Sequence, residues 1–236
     1  MCGRYATTRS AVDLAALFEA LDETGGGLAP DYNVAPTDPV PIVAMGTDGR
    51  AVRVARWGLV PPWAQDARVG ARMINARAET VMSSNAFAPS FRARRCLVPA
   101  DGWYEWCPTE GGRKQAYFMT AEDRAVLVFA GLWTVSAAGL LTVSIVTTTA
   151  LGNLAYVHDR MPLLLLPERW GDWLCGPADP AHLLAVPPVK FLDSLEIRPV
   201  GPAVGDVRND GPALTARISV TPLRSAEAQP TDIPLF

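Results

Sequence analysis

The chain has 236 residues, 49% of them apolar and 19% charged, with a formal net charge of −3. That length can bury a substantial core, and that composition excludes an intrinsically disordered chain. No stretch approaches the ~18–20 apolar residues of a membrane span, and Met1-Cys-Gly-Arg-Tyr5 opens without the apolar region of a secretory signal, so a cytoplasmic location with no membrane partner is expected.

Val12, Leu14, Leu17, Phe18 and Leu21 recur at helical spacing, which predicts a helix over residues 10–21. Ser10 is placed to cap it with Asp13 three residues on, and Gly25-Gly-Gly27 to end it. Asn33-Val-Ala-Pro36 reads as a loop feeding a strand over 40–44, and Asp48-Gly49 as a hairpin turn into a strand over 51–57. Residues 58–74, around Pro61-Pro62-Trp63, read as loop, and 86–95 as a short helix interrupted near Pro89. Strands then dominate, over 96–98, 102–107, 115–120, 125–133 and 140–148, with turns at Glu110-Gly-Gly112 and Ala138-Gly139. Gaps this short favour antiparallel pairing, because parallel neighbours need long crossovers. One or two short helices over 167–186, a last strand pair over 195–200 and 218–221, and a polar tail complete the pattern. The expected fold is α+β. A single domain over 1–224 would rest on curved, mostly antiparallel β-sheets of open-barrel or sandwich type, with a few flanking short helices and a C-terminal tail over 225–236.

The four cysteines (Cys2, Cys96, Cys107, Cys175) show no Cys-x-x-Cys spacing and only His158 and His182 accompany them, so neither a metal nor another cofactor is expected. Cys96 and Cys175 read as buried small hydrophobes. Nine arginines against Asp66 and Glu79 give residues 50–95 a net +7 and leave −10 to the rest of the chain. Such a segment can bind phosphate locally on an acidic body. The competing reading is a solvated face in a chain biased towards arginine, since lysine supplies only Lys114 and Lys190.

Several side chains carry chemistry. Removal of Met1 would give Cys2 a free α-amine, with an unperturbed pKa of roughly 7.7–8.0, beside its thiol. An amine that attacks an aldehyde gives a Schiff base, onto which the thiol can close a five-membered ring. Glu105, within Asp101-Gly-Trp-Tyr-Glu-Trp106, shares a strand face with Trp103 and Cys107. Aromatic packing would raise its pKa into general acid–base range, whereas a salt bridge to an arginine is the more ordinary fate of such a glutamate. His158 lies in a loop before Pro162 and suits proton transfer. If their segment is extended, Asn75 and Arg77 alternate onto one face, where they suit a sugar and a phosphate. Trp57 and Trp63 flank a loop inside the basic segment, where rings can stack on bases while guanidinium groups follow the backbone, although tryptophan is equally a core residue.

Six motifs extend these signals along almost the whole chain: Met1-Cys-Gly-Arg-Tyr5, Asn33-Val-Ala-Pro-Thr37, Arg56-Trp-Gly-Leu-Val-Pro-Pro-Trp63, Ile74-Asn-Ala-Arg-Ala-Glu-Thr80, Arg95-Cys-Leu-Val-Pro-Ala-Asp-Gly-Trp-Tyr-Glu-Trp106 and Val157-His-Asp-Arg-Met-Pro162. In order and spacing the chain resembles the SOS-response-associated peptidase (SRAP) family of abasic-site processing proteins. The resemblance implies loss of Met1 and a thiazolidine crosslink between Cys2 and an abasic site in single-stranded DNA; a reagent that bonds one lesion needs only a monomer, which is expected to join the nucleoid when it acts. It assigns acid–base work to Glu105, proton transfer to His158 and positioning to Asn75. Arg4, Arg77 and Arg160 are expected on the DNA, with Trp57 or Trp63 supporting bases. The basic residue often found after the Asn-Ala-Arg-Ala-Glu-Thr motif is missing here, where Val81-Met-Ser-Ser-Asn-Ala86 follows, and Arg92 or Arg94 are the available substitutes. The alternatives are an N-terminal-nucleophile or Cys–His peptidase or amidase, a strand-cleaving lyase, and a non-covalent single-stranded DNA-binding module.

Overall fold

The computed structural model describes residues 2–109 and 112–220. In chain order the elements are β1 (Tyr5–Thr7), α1 (Ala11–Phe18), β2 (Leu21–Asp22), β3 (Asp31–Val34), β4 (Pro39–Gly46), β5 (Gly49–Trp57), β6 (Asn75–Arg77), α2 (Ala88–Ala93), β7 (Arg95–Ala100) and β8 (Gly102–Pro108). They continue with β9 (Lys114–Ala121), β10 (Leu127–Val135), β11 (Leu141–Thr149), β12 (Arg160–Pro162), α3 (Trp170–Cys175), α4 (Pro180–Leu183), α5 (Val189–Asp193) and β13 (Leu195–Val200).

One sheet runs β13-β9-β8-β1-β3; the other runs β12-β11-β10-β7-β4-β5-β2, with β6 beside β11. A parallel pairing of β11 with β5 closes β5-β4-β7-β10-β11 into a five-stranded ring. Alternate residues explain how the ring is filled. Val40, Ile42, Trp57, Cys96, Val98, Phe129, Val143 and Ile145 share one core, while Val43, Val52, Leu97, Val128, Leu132 and Val146 belong to a second core with Leu14 and Phe18 of α1, Phe91 of α2 and Trp173 of α3. Both faces of these strands are therefore buried, which is why they read as continuous apolar runs. Tyr5 joins the sheets, packing edge-on against Trp57 at 5.1 Å and Phe129 at 5.9 Å between ring centroids, contacts worth about 0.5–1.5 kcal/mol each beyond area burial. At the tightest point of the ring, a Cβ on Gly131 would sit 2.7 Å from Cys96 Sγ, so only glycine fits.

The mostly antiparallel α+β expectation holds, with local corrections. Ser10 does cap α1, accepting the Asp13 N–H, but Glu19 at φ 49° stops the helix well before the glycine triplet, and Leu21 belongs to β2. Asn33 and Val34 are strand, not loop. Pro89 begins α2 instead of interrupting it, because a first-turn N–H has no helical partner to lose. Residues 58–74 hold a 3-10 turn over Ala67–Arg72, and α5 was not foreseen. The β2–β5, β5–β11 and β6–β11 pairs are parallel, as partners far apart in sequence need no hairpin. β13 pairs along its length with β9, keeping only a single bridge from Val200 to Arg217 where a strand pair was expected. Cys96 is buried but Cys175 is exposed, on the solvent side of the turn that buries Trp173 and Leu174. Glu110 and Gly111 of one expected turn, Thr221, the boundary at 224 and the tail lie outside the described residues. Among the described residues no helix is long and apolar enough to cross a membrane, and no group of three or more His, Cys, Asp or Glu side chains could hold a metal.

Candidate active site

The N-terminal segment is held against β8. Tyr5 pairs with Trp103, and the Tyr104 N–H donates to Arg4 O at 2.9 Å, which brings Glu105 level with the residues that follow Cys2. Cys2 itself is fully buried among Tyr5, Val34 and Trp57. From the other side, β6 lies parallel to β11 with Asn75 opposite Ile145. Ala76 points into the second core, which turns Asn75 and Arg77 the other way. The Asn75 Nδ2–H donates to Cys2 O at 2.7 Å, tying together residues 73 apart in sequence. His158 sits between the 3-10 turn Gly152–Tyr156 and β12, and its Nδ1 accepts the Arg160 N–H at 2.9 Å. An open pocket of about 630 Å³ is lined by Glu105, Trp106, Pro108, Lys114, Val157, His158 and Gly205. A larger groove of about 730 Å³ lies elsewhere, beside Leu17 and Trp170, and none of Cys2, Asn75, Glu105 and His158 lines it.

Burial sets the protonation states. It raises Glu105 to about 7, with 3% of the residue exposed, so the carboxyl populates both forms near neutrality. The expected arginine bridge is not what governs this carboxyl: desolvation does, opposed by the charge of the chain's amino terminus. The Cys2 thiol is pushed well above its ordinary value by burial and then by the charge of Glu105, so it rests as thiol, not thiolate. Burial and the same amino-terminal charge lower His158. The hydrogen bond that Nδ1 accepts from the Arg160 N–H suits the neutral ring in the same direction.

Residues 1–207 match the family described as SOS response associated peptidase (SRAP). The chain belongs to the SRAP family. It is 33% identical over 222 residues to the abasic site processing protein YoqW of Bacillus subtilis, covering 91% of this chain and 98% of that one. Against the abasic site processing protein YedK of Escherichia coli the figures are 31% over 226 residues, 91% and 98%. A crystal structure of a Bacteroides thetaiotaomicron protein matches with a TM-score of 0.79 over 92% of this chain and 100% of that one; at 24% identity it shows the shared fold.

The remaining side chains of this SRAP chain divide sharply. Trp57 takes the structural of its two possible roles: it is wholly buried and its Nε1–H donates to Ile74 O at 3.0 Å, leaving no face for a base. Trp63 is 64% exposed. Its loop is pinched at the base where Gly58, at φ 122°, passes Gly70 so closely that a Cβ would meet Gly70 O at 2.5 Å. Arg4 Nη1 is committed to Asn33 Oδ1 at 2.7 Å and Val204 O at 2.8 Å. Arg160 is held by Glu79 through two hydrogen bonds of 2.6 and 3.0 Å and by Thr147 O. Arg77 and Arg72 are exposed and form no side-chain hydrogen bond or ion pair among the described residues.

The basic segment is accordingly no single basic face. Arg53 pairs with Glu23, Arg68 with Asp66, Arg50 donates to Phe18 O, and Arg95 is buried. Sequence reasoning passed over Lys114 and Asp159. Hairpin register could have found the first, since Lys114 faces Pro108 across the β8–β9 pair. Asp159 lies within Val157-His-Asp-Arg-Met-Pro162, next to His158.

Proposed function

We propose that this SRAP protein processes abasic sites in single-stranded DNA by bonding to them through Cys2, once loss of Met1 has made Cys2 the N-terminus. The reading is carried by one observation: the backbone of Cys2 is clamped by Asn75 while Glu105, buried and able to exchange a proton near pH 7, acts on the same residue. The relatives named as abasic site processing proteins agree with it.

In chemical order, Glu105 and His158 assist opening of the closed deoxyribose to its aldehyde. The α-amine adds to the aldehyde carbon and water leaves, giving an imine. The thiol sulfur then adds to the imine carbon, its proton passes to the nitrogen, and a thiazolidine closes. A thiol held protonated by burial favours this order, with the amine first and the sulfur second. Glu105 donates in its neutral form to the leaving hydroxyl and accepts in its ionised form, roles that a carboxyl at about 7 can alternate without a large penalty. Trp63, Arg72 and Arg77 supply an exposed ring and two uncommitted cations for bases and phosphates of a single strand. A monomer in the cytoplasm, drawn to the nucleoid by its DNA, suffices for this reaction.

The test is a denaturing gel of protein beginning at Cys2 with single-stranded DNA carrying one abasic site, beside intact DNA and a Cys2→Ala variant. The expected result is a heat-stable shift that needs both the lesion and Cys2. No adduct from correctly processed protein would overturn the proposal. Cleaved DNA without a stable adduct would favour the lyase reading, and peptide turnover without DNA the peptidase.

A further inference from the structure

Asp159 has no part in the roles above, yet it touches His158, and its charge reaches Glu105. It follows His158 in the turn leading into β12, and its backbone O accepts the Ala150 N–H at 2.9 Å, which fastens the turn to the end of β11. The side chain is 84% exposed, but Oδ1 lies 2.8 Å from His158 Nδ1. That same Nδ1 accepts the Arg160 N–H at 2.9 Å. One nitrogen cannot satisfy both neighbours in one protonation state. In the neutral ring Nδ1 accepts from Arg160 and meets the carboxylate lone pair to lone pair. In the imidazolium Nδ1–H donates to Asp159, and the Arg160 N–H loses its acceptor. The backbone N–H thus selects the neutral ring and the carboxylate the charged one. The charge of Asp159 also reaches Glu105, where it favours retention of the proton.

We propose that Asp159 is a positioning residue that sets the proton load of His158, so that the imidazole enters the reaction with a proton to give. The inference rests on the function proposed above. Among the described residues the charged groups facing His158 are Asp159 and Arg160 on its own segment, Glu105 on β8 and Lys114 on β9, and the charge of the chain's amino terminus acts on the ring as well. The charges of the amino terminus and of the Arg160 guanidinium oppose protonation of the ring, and Asp159 is the carboxylate in direct contact that favours it.

Asp159→Asn keeps the shape and removes the charge. Crosslinking rates for the wild type and this variant, from pH 5.5 to 8.5, are read beside the ring resonances of the two histidines. Because the chain has only two histidines, each can be followed separately. Removing the negative charge lowers the proton affinity of both groups, so the alkaline limb of the rate profile moves to lower pH and the His158 midpoint falls with it. The exposed carboxylate is screened, so the expected loss is about three-fold at pH 8, with little change at pH 5.5. Superimposable profiles with an unmoved His158 midpoint overturn the proposal. So does a loss of equal size at every pH with that midpoint unmoved, which would mark Asp159 as merely structural. If the wild type itself forms no adduct, the proposed function falls, and the His158 midpoint still decides whether Asp159 controls the ring.

Discussion

Arg95 and Glu105 stand at opposite ends of the same motif, both almost wholly buried, at 6% and 3% exposure. Their surroundings make them different kinds of residue. The Arg95 guanidinium donates to Phe91 O and Arg92 O near the end of α2 and to Trp173 O and Gly176 O at the end of α3. Burial lowers its proton affinity, but from so high a starting point that the charge persists. Glu105 starts low and is carried by burial to about 7, where gaining or losing a proton costs little. A buried charge saturated with hydrogen bonds fastens helices to a strand, whereas a buried charge left at the edge of ionisation is available for chemistry.

The most damaging way to break this comparison is Arg95→Met. It keeps an aliphatic stem but strips the donors from four carbonyls, and should destabilise the fold by about 3–5 kcal/mol, measured from the urea midpoint. Unchanged stability would mean that water reaches those carbonyls and that Arg95 is no brace at all. Glu105→Gln should act in the opposite direction. A carboxyl whose folded-state value lies above its unfolded one binds extra protons in the fold, so wild-type stability falls as pH rises from about 4.5 through about 7. The neutral amide escapes that loss. It should raise stability at pH 8 by about 1–3 kcal/mol and leave it nearly unchanged at pH 4, while slowing crosslinking by about 100-fold. Thermal melts at the two pH values check the first part. Equal shifts at both would show that Glu105 is ionised throughout.

Neither residue announces its fate in sequence. Arg95 is one of nine arginines in a segment that reads as a phosphate-binding stripe, and its carbonyl partners near Trp173 are some 80 residues away. The strands from 95 to 149 were readable because they are long, apolar and separated by turn residues. β3, β6 and β12 were not, since three or four residues carry no period and their pairing comes from partners elsewhere in the chain. The site was readable as a set of reactive side chains, and the resemblance grouped them. Its geometry was not: nothing local distinguishes Trp57, which closes the core, from Trp63 six residues later, which faces solvent. The hydrogen bond from Asn75 to Cys2 O likewise exists only once β6 has joined β11.

Arg77 and Arg160 extend the contrast to the proposed DNA surface, where the expected effect is smallest. Arg77 stands exposed and uncommitted on the Asn75 side of β6, so Arg77→Ala should weaken single-strand binding modestly and lower the slope of log K against log salt by about 0.7, as for one lost phosphate contact. Arg160 is already spent on Glu79 and Thr147, and opening that pair to reach a phosphate would strand a carboxylate that the guanidinium holds below its usual range. Arg160→Ala should therefore leave the salt slope intact and instead loosen β12 against β11, visible as faster amide exchange at Thr147–Thr149. If both substitutions lower the slope equally, Arg160 must trade Glu79 for phosphate on binding. The pair would then be a latch that DNA opens, and since Arg160 also supplies the N–H held by His158, lesion contact would reach the proton relay directly.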